Sequence, residues 1–256
     1  MKKAGYIILL LLISTLSFSQ TIINAERLTD TTKTNIYSLA FSYSGTSGNL
    51  QTSNLIISPT FILLKQKDEY KIFGSYSFQS VSGNALQKSG FFHLRHNYKL
   101  TGRLKTFEFF QLQNNDVLLL KKRTLFGAGL RYALVKKDSL KLDMELGLMR
   151  EIENLNKNAL NINEPRTEKS YRITSVSSFR WSLNKSVAIT NVIYYQPSIK
   201  AFNDFRILND FNLTVSLTKR ISLLTELSTR FDSKPPGKLK TTDNSLIIGL
   251  NILFSK

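Results

Sequence analysis

The sequence predicts an all-β fold: an antiparallel up-and-down transmembrane β-barrel of about twelve strands that follows a cleaved signal peptide. Three observations lead to this prediction. Beyond its first residues, the chain consists of amphipathic stretches of roughly 9–17 residues in which apolar and polar side chains alternate. The connections between these stretches are alternately tight and long. Aromatic residues on the apolar faces gather near the two ends of the stretches.

The N-terminus predicts export. Lys2 and Lys3 precede the apolar run Tyr6–Ile13, and Ser17-Phe18-Ser19 provides a small-x-small cleavage site. We therefore expect residues 1–19 to be a signal peptide and residues 20–256 to form the outer-membrane barrel. The apolar run is too short to span a bilayer comfortably as a retained helix. Because the chain contains no cysteine, we expect no disulfide, no lipid-modified cysteine and no cysteine metal site.

The net charge of +17 is strongly basic. Such an excess is typical of proteins that bind nucleic acid, an anionic membrane surface or acidic solutes. Export argues against nucleic acid, so the expected partners are outer-membrane lipid and lipopolysaccharide. Many lysines lie in predicted turns rather than in one groove, and we interpret them as a solvated rim near lipid headgroups: Lys65, Lys67, Lys99, Lys136, Lys137, Lys185 and Lys219.

Alternation and turn residues predict the strands at 36–44, 51–64, 69–81, 88–100, 103–115, 121–135, 139–151, 167–183, 186–198, 205–219, 221–232 and 242–254. Tight connections are predicted at 65–68, 101–102, 136–138, 184–185 and 219–220. Long connections are predicted at 45–50, 82–87, 114–120, 152–166, 198–204 and 233–241. Since both chain ends of such a barrel are expected in the periplasm, the tight connections should face the periplasm.

The two faces are clearest in strands seven, ten and eleven. In strand eleven, Ile221, Leu223, Leu227 and Phe231 alternate with Ser222, Glu226, Ser228, Arg230 and Asp232. The facing of strands two and five is left open. Alternation alone does not say which face is inside, because a soluble sandwich buries its apolar face whereas a membrane barrel turns it towards lipid.

The positions of the aromatic residues favour the membrane barrel. One predicted belt lies near the periplasmic ends of the strands and contains Tyr70, Tyr98, Tyr132, Trp181 and Phe254. The other lies near the opposite ends and contains Tyr43, Phe78, Phe92, Tyr171, Phe205 and Phe231. Two such belts are expected where amphipathic rings lie at the headgroup level on both sides of a bilayer.

Several local patterns resemble one outer-membrane family. They are Tyr43–Asn49, which ends in a Gly-Asn turn, the Gly-x-Gly strand Arg123–Tyr132 with the acidic strand that follows it, and Phe231–Pro236 with Asp243. The family is that of salt-induced outer membrane proteins, domain of unknown function four-eight-one, and the resemblance extends over essentially the whole mature chain. It implies a barrel and an outer-membrane location, and it supplies no activity, cofactor or catalytic residue. The last strand also resembles the strand by which the barrel-assembly machinery recognises its substrates.

The ionisable residues on the inward face are the candidate functional residues. They are Arg95, Arg123, Arg131, Asp143, Glu145, Arg172, Arg180, Arg206, Asp210, Glu226 and Arg230. Neighbouring strands lie about 4.8 Å apart, so arginines of strands six and eight can pair with the acids of strand seven. Twelve tilted strands give a backbone radius of about 12 Å, which two facing arginines nearly close. Unpaired arginines would favour anions, whereas paired arginines would plug the barrel.

Three functions follow from these residues. The leading hypothesis is a narrow passive channel that prefers small anions, because arginines outnumber acids among the inward positions. The alternative is a closed structural barrel that contributes to envelope integrity or salt tolerance. The remote alternative, an outer-membrane hydrolase, would depend on His93 or His96, which are predicted on opposite faces of one strand. No catalytic, cofactor-binding or metal-binding residue is predicted, although the loop 152–166 with Glu153 and Glu164 could bind calcium weakly.

Two further residues, Gly127 and Gly129, have a structural interpretation. Both lie on a strand and point into the lumen, so they do not form a phosphate-binding loop, which requires a following helix. We expect them to relieve crowding or to allow the barrel wall to bend.

Overall fold

The computed structural model describes residues 35–46, 52–81, 84–157 and 160–254. The predicted signal peptide and the Gly48-Asn49 turn lie outside these residues. No helix within the described ranges is long and apolar enough to cross a membrane. The strands are β1 (Ile36–Thr46), β2 (Thr52–Lys65), β3 (Asp68–Val81), β4 (Asn84–Lys99), β5 (Leu104–Asn115), β6 (Leu120–Lys136), β7 (Leu140–Leu155), β8 (Thr167–Ser182), β9 (Val187–Pro197), β10 (Phe205–Ser216), β11 (Ile221–Asp232) and β12 (Thr242–Leu253).

The strands form one closed barrel. Each strand pairs antiparallel with its neighbours in sequence, and β1 closes the barrel by pairing with β12. In this closing pair, Ser38–Phe41 align with Leu250–Leu253. The prediction of an all-β, twelve-stranded up-and-down barrel is confirmed. Because the strand number is even, β1 begins and β12 ends at the same rim, which also carries the tight connections. We call this rim the short-turn end and the opposite rim the long-loop end.

Two strands, β4 and β7, are longer than the alternation predicted by three residues each, the largest differences among the strands. β4 begins at Asn84, so most of the predicted loop 82–87 is wrong; its ladder with β3 continues past a register shift between Gln79 and Ser80. β7 continues to Leu155, and the first residues of the predicted loop 152–166 therefore belong to a strand. The reason lies on its inner face, where Glu151 and Glu153 bind arginines of β6 and β10.

The outer face of the barrel is apolar and the inner face is largely polar. Leu146 and Leu148 on β7 are 63% and 61% exposed, respectively. On the inner face, by contrast, Asn97, Asn212 and Lys71 are completely buried. This is the inverse of a soluble protein, which buries its large apolar side chains.

The structure also gives the facing of β2 and β5, which the sequence left open. In β2, Ser58, Thr60 and Ile62 are buried inside, while Ile57 and Phe61 are exposed outside. Strand β5 turns its apolar Phe107 inwards and its charged Glu108 outwards. Both strands place apolar residues on their inner faces, and this is why alternation of polarity could not decide their orientation.

Candidate functional site: the barrel interior

The predicted interior residues occupy inward-facing positions on strands β4, β6, β7, β8, β10 and β11. The structure brings most of them together in two groups at different heights in the bore. A third region, lined by aromatic side chains, lies beside these groups, and a basic cavity opens at the short-turn end.

Glu151 is the centre of the group nearer the long-loop end. Its carboxylate accepts hydrogen bonds from Arg172 Nε at 2.7 Å, Arg206 Nη1 at 2.5 Å and Arg123 Nε at 2.7 Å. Glu151 lies on β7 and the three arginines lie on β6, β8 and β10. The contacts therefore connect four strands of the barrel wall through the bore.

Arg206 extends this group to two further acids. It donates to Glu153 at 2.8 Å and to Asp232 at 2.8 Å, and Arg230 lies 3.2 Å from the same Asp232 oxygen. We call the set Arg123, Glu151, Glu153, Arg172, Arg206, Arg230 and Asp232 the upper ion network. Each arginine of this set contacts a carboxylate, and a charge-assisted network of this kind is well suited to filling a bore rigidly.

The second group lies nearer the short-turn end. Arg95 donates to Glu145 at 2.7 Å, and Arg131 contacts Asp143 at 2.9 Å and Glu145 at 3.3 Å. The Arg95 guanidinium also stacks over the Phe107 ring, 4.5 Å from its centroid. Arg131 of the adjacent strand β6 and Arg95 of the more distant β4 therefore share the acids of β7, and both lie on the same side of β7 in the strand order.

Three predicted residues lie apart from these two groups. The Ser228 hydroxyl is 2.7 Å from Asp210 Oδ1 and 3.2 Å from Glu226 Oε1. Arg180 is aligned with Lys141 in the pairing of β7 with β8, near the short-turn end.

The predicted interior set omitted three acids of the upper ion network, namely Glu151, Glu153 and Asp232, although Asp232 was placed on the polar face of strand eleven. The inward parity of β7 continues from Asp143 and Glu145 to the first two of these, and this signal could have identified them. The predicted set holds seven arginines and four carboxylates, and the missed acids bring the carboxylates to seven. These carboxylates therefore balance the arginine majority that led to the channel hypothesis.

An aromatic wall, formed by Phe73, Phe91, His93, Phe107 and Phe109 on β3, β4 and β5, lines a central cavity of about 70 Å³. The His93 ring stacks on Phe73 with a centroid distance of 4.6 Å and on Phe109 with a centroid distance of 5.5 Å. The opposite side of the cavity is formed by side chains of β8, β9 and β10, including Thr174, Gln196 and Leu208.

Glycines on β6 give these rings their space. A Cβ atom at Gly129 would lie 2.7 Å from Phe107 Cζ, and a Cβ atom at Gly127 would lie 2.7 Å from Phe109 Cε1. The glycines were predicted to relieve crowding in the lumen, and the structure gives the crowding a specific cause. Each glycine leaves space for one ring of the aromatic wall to pack against the sheet.

A basic vestibule opens at the short-turn end, with a volume of about 380 Å³. Seven cationic side chains line it, against three carboxylates, Asp68, Glu69 and Asp143. The cations are Lys67, Lys99, Arg103, Lys105, Arg131, Lys136 and Lys141. Some of the lysines that were interpreted as a solvated rim therefore surround one opening of the barrel.

Two connecting loops cover part of the long-loop end. Leu118, Leu120 and Leu155 form a buried apolar cluster, against which Leu160 and Leu239 pack from two different loops. Because Leu160 belongs to the loop that follows β7, this loop lies over the barrel rim. These five leucines form a small apolar cap above the upper ion network.

Hydrogen bonds around Glu164 join the same two loops. Glu164 Oε2 accepts from the Asn161 N–H at 3.0 Å and from the Gly237 N–H at 2.8 Å, while the Asn161 side-chain amide donates to Glu164 Oε1 at 2.8 Å. Gly237 has a φ of 62°, a left-handed conformation that glycine adopts without strain. The Asn161 bonds, and then the Gly237 bond, hold the pKa of Glu164 below its ordinary value.

Acidification is expected to release this contact between loops. Because the pKa of Glu164 is lowered in the folded loops, the contact contributes stability above the ordinary carboxyl pKa and loses it as the pH falls through the lowered value. The Gly237 amide resonance, followed by NMR between pH 7 and pH 2, should titrate with a pKa below that of an exposed glutamate. Glu164→Gln should abolish the titration, and an unchanged Gly237 resonance in the parent protein would contradict the expectation.

The histidines and the proposed calcium loop have other roles. His93 Nδ1 is 3.0 Å from Gln111 Oε1 inside the barrel, while His96 lies on the outer face between Asp68 and Glu108, at 2.8 Å and 3.0 Å. Glu153 is committed to Arg123 and Arg206, so the weak calcium site suggested for the loop loses one of its acids. Among the described residues, no group of three or more histidine or acidic side chains could hold a metal ion.

The residues predicted for the aromatic belts lie on the outer face. Tyr43 and Tyr171 are more than half exposed at the long-loop end, as is Phe254 at the short-turn end. Phe205 is 5.5 Å from Phe231 between ring centroids on the outer face of β10 and β11. The remaining predicted members, Tyr70, Phe78, Phe92, Tyr98, Tyr132 and Trp181, also occupy outward-facing positions.

The family described as "Protein of unknown function, DUF481" matches residues 39–254. The chain belongs to this family. The matched region extends from β1 to the end of β12, which is essentially the whole barrel. The family resemblance found in the sequence motifs is thereby confirmed. No curated protein matches the sequence.

Solved structures of outer-membrane proteins with a similar fold include two with TM-scores of 0.50. The NanC porin has a TM-score of 0.50 and 10% identity, with 85% of this DUF481 chain and 98% of the porin chain covered. The COG4313 outer membrane channel from Pseudomonas putida F1 has a TM-score of 0.50 and 11% identity, with coverages of 93% and 100%. At such low identity the likeness concerns the fold alone, so this DUF481 protein has the fold of outer-membrane channels.

Proposed function

We propose that the protein is an integral outer-membrane barrel that acts as a narrow passive channel with a preference for small anions, and that it is not an enzyme. The observation that carries the proposal is the basic vestibule, which opens into the constricted interior of a closed barrel. The balanced charges deeper in the bore do not supply the preference, so the selective region lies at the short-turn end.

The outer surface supports the membrane location. Exposed leucines and isoleucines surround the barrel, with Leu246 and Ile248 of β12 more than half exposed like Leu146 and Leu148 of β7. Apolar surface of this extent is unfavourable in water and favourable against lipid. The outward aromatic residues near both rims fit the headgroup regions of a bilayer. The short-turn end, where β1 begins and β12 ends, would then face the periplasm.

The vestibule supports the anion preference. Seven cations against three carboxylates produce a positive potential at the opening, and low-dielectric walls concentrate that potential along the passage. Charged rings select ions of opposite sign in other pores. The upper ion network and the cap of leucines narrow the passage beyond the vestibule, so a low conductance is expected.

Reversal potentials in planar bilayers test this proposal. Under a KCl gradient, the parent protein should favour chloride, and Lys99→Glu/Lys136→Glu should lower the chloride-to-potassium permeability ratio by at least about twofold. Lys185→Glu/Lys219→Glu is the matched control, because these lysines lie in short turns at the same rim but do not line the vestibule. A cation preference of the parent protein, or an equal effect of both double variants, would overturn the proposal.

The upper ion network also supports a second candidate, a closed barrel that contributes to envelope integrity or salt tolerance. Its arginines contact carboxylates, and the leucine cap covers part of the long-loop end. This candidate predicts silent bilayers, and cells that lack the protein should become sensitive to salt or detergent. Measurable conductance together with an unchanged envelope would reject it.

A further inference from the structure

The central cavity combines an aromatic surface with hydrogen-bond acceptors. Its aromatic wall is contributed by three adjacent strands, and the accessible rings are Phe91, His93 and Phe109, because Phe73 and Phe107 are almost fully buried. Small-molecule sites are typically apolar and aromatic, with a few polar groups that set orientation. A cavity with this lining is suited to a flat ring.

Two buried acceptor atoms that line the cavity accept no hydrogen bond from the described residues. Gln196 is 7% exposed, and its Oε1 atom has no hydrogen-bond partner among the described residues. Glu145 is similarly buried; its Oε1 accepts from Arg95 and Arg131, whereas its Oε2 has no hydrogen-bond partner within the described part of the chain. Since a buried acceptor without a partner is costly, each of these atoms favours a ligand that carries an O–H or N–H donor.

The basic vestibule gives an anion a route to the cavity, because it lies on the short-turn side of the same bore. Within the cavity lining, Arg95 is paired with Glu145 and Arg123 with Glu151 and Glu153, so the attraction comes from the vestibule. A negatively charged group would be attracted by the vestibule, and the ring that carries it could then reach the aromatic wall. The route of entry rests on the proposed channel function.

We propose that the central cavity binds small phenolic carboxylates, that is, a single benzene ring that carries a carboxylate and a hydroxyl donor. The ring stacks against the aromatic wall, and the hydroxyl donates to Gln196 Oε1 or Glu145 Oε2. A site of about 150 Å³ holds benzene in an engineered protein, so this cavity of about 70 Å³ limits the ligand to a single ring, and the side chains that line it must move apart to admit that ring.

Ligand titrations by saturation-transfer NMR, with the full chain in lipid nanodiscs, test the proposal without any need for conductance. The probe is 4-hydroxybenzoate, which should bind saturably. 4-Methoxybenzoate keeps the ring but lacks the donor, and 4-hydroxycyclohexanecarboxylate keeps the donor but lacks the aromatic ring. Both should bind at least about fivefold more weakly.

Two variants locate the binding. Phe109→Leu should weaken 4-hydroxybenzoate binding about 2- to 10-fold, the loss that corresponds to one aromatic stack. Its matched control is Phe110→Leu, because Phe110 is the adjacent residue on the outer face and is 37% exposed. Gln196→Met keeps the length of the side chain and removes the acceptor, so it should reduce the preference for 4-hydroxybenzoate over 4-methoxybenzoate.

The outcomes separate this inference from the channel proposal. Saturable binding by a protein that conducts no ions would overturn the channel and leave the binding site intact. Anion conductance without saturable binding would overturn the binding site alone. Equal affinity for the hydroxy and methoxy compounds, or equal weakening by Phe109→Leu and Phe110→Leu, would also overturn it. If Phe109→Leu fails to fold, the ligand series still decides.

Discussion

Glu151→Gln is expected to lower the free energy of unfolding by about 3 kcal/mol, near the lower end of the cost of removing one partner from a buried ion pair. Glu151 accepts hydrogen bonds from Arg123, Arg172 and Arg206, and its carboxylate is almost completely buried. A neutral amide leaves this concentration of positive charge without its central anion. The cost stays below the upper end of the range because neighbouring acids continue to neutralise the arginines.

Urea unfolding in lipid vesicles, followed by the circular dichroism of the strands, measures this effect. Glu108→Gln is the matched control: it makes the same chemical change on an outer-face side chain that is 60% exposed, and it should cost less than about 1 kcal/mol. Adding Arg172→Gln to Glu151→Gln should restore part of the loss, because one unneutralised charge is removed. Equal stabilities of the Glu151 and Glu108 variants would contradict the structural role of the upper ion network.

Gly129→Ala is expected to lower the free energy of unfolding by about 3 kcal/mol, near the upper end of overpacking costs. The added Cβ would lie 2.5 Å from the Gly147 Cα and 2.7 Å from Phe107 Cζ, and it would also contact the Leu146 carbonyl oxygen. Two of these three neighbours are backbone atoms of the adjacent strand, so they cannot move without breaking the ladder between β6 and β7.

The same unfolding measurement checks this prediction. Gly102→Ala is the matched control, because a Cβ at Gly102, in a short turn, meets no atom within 4 Å. It should leave stability unchanged or raise it slightly, by up to about 1 kcal/mol, since alanine restricts the unfolded chain. Phe107→Leu in the Gly129→Ala background should recover only part of the loss, because the backbone contacts persist. A Gly129→Ala protein as stable as the parent would refute the close approach of the two strands.

The barrel could be predicted because alternation is a local property of each strand. The pairing of Arg131 with Asp143 was also within reach, since β6 and β7 are neighbours in sequence and in space. The contact of Arg95 with Glu145 was not, because β4 and β7 are separated by two strands and their side chains meet across the curved wall. The same holds for Arg206 and Glu151, which lie on β10 and β7.

The role of the lumenal glycines was predictable only in part. Gly127 and Gly129 were expected to relieve crowding. Which side chains need the space depends on the orientation of Phe107 and Phe109 on the neighbouring strand, and the sequence does not give this orientation. Likewise, the continuation of β7 to Leu155 was hidden by charged residues that look like a loop in sequence. Glu151 and Glu153 are tolerated inside the strand because arginines of β6 and β10 neutralise them.

The chain contains one tryptophan, Trp181, and its side chain is 46% exposed on the outer face near the short-turn end. Its fluorescence therefore reports the surroundings of a single rim. In a bilayer, bromine atoms at known depths along the acyl chains would quench this emission according to their distance from the indole. The quenching of Trp181 emission can therefore measure how far that rim lies from the bilayer centre, without an added label.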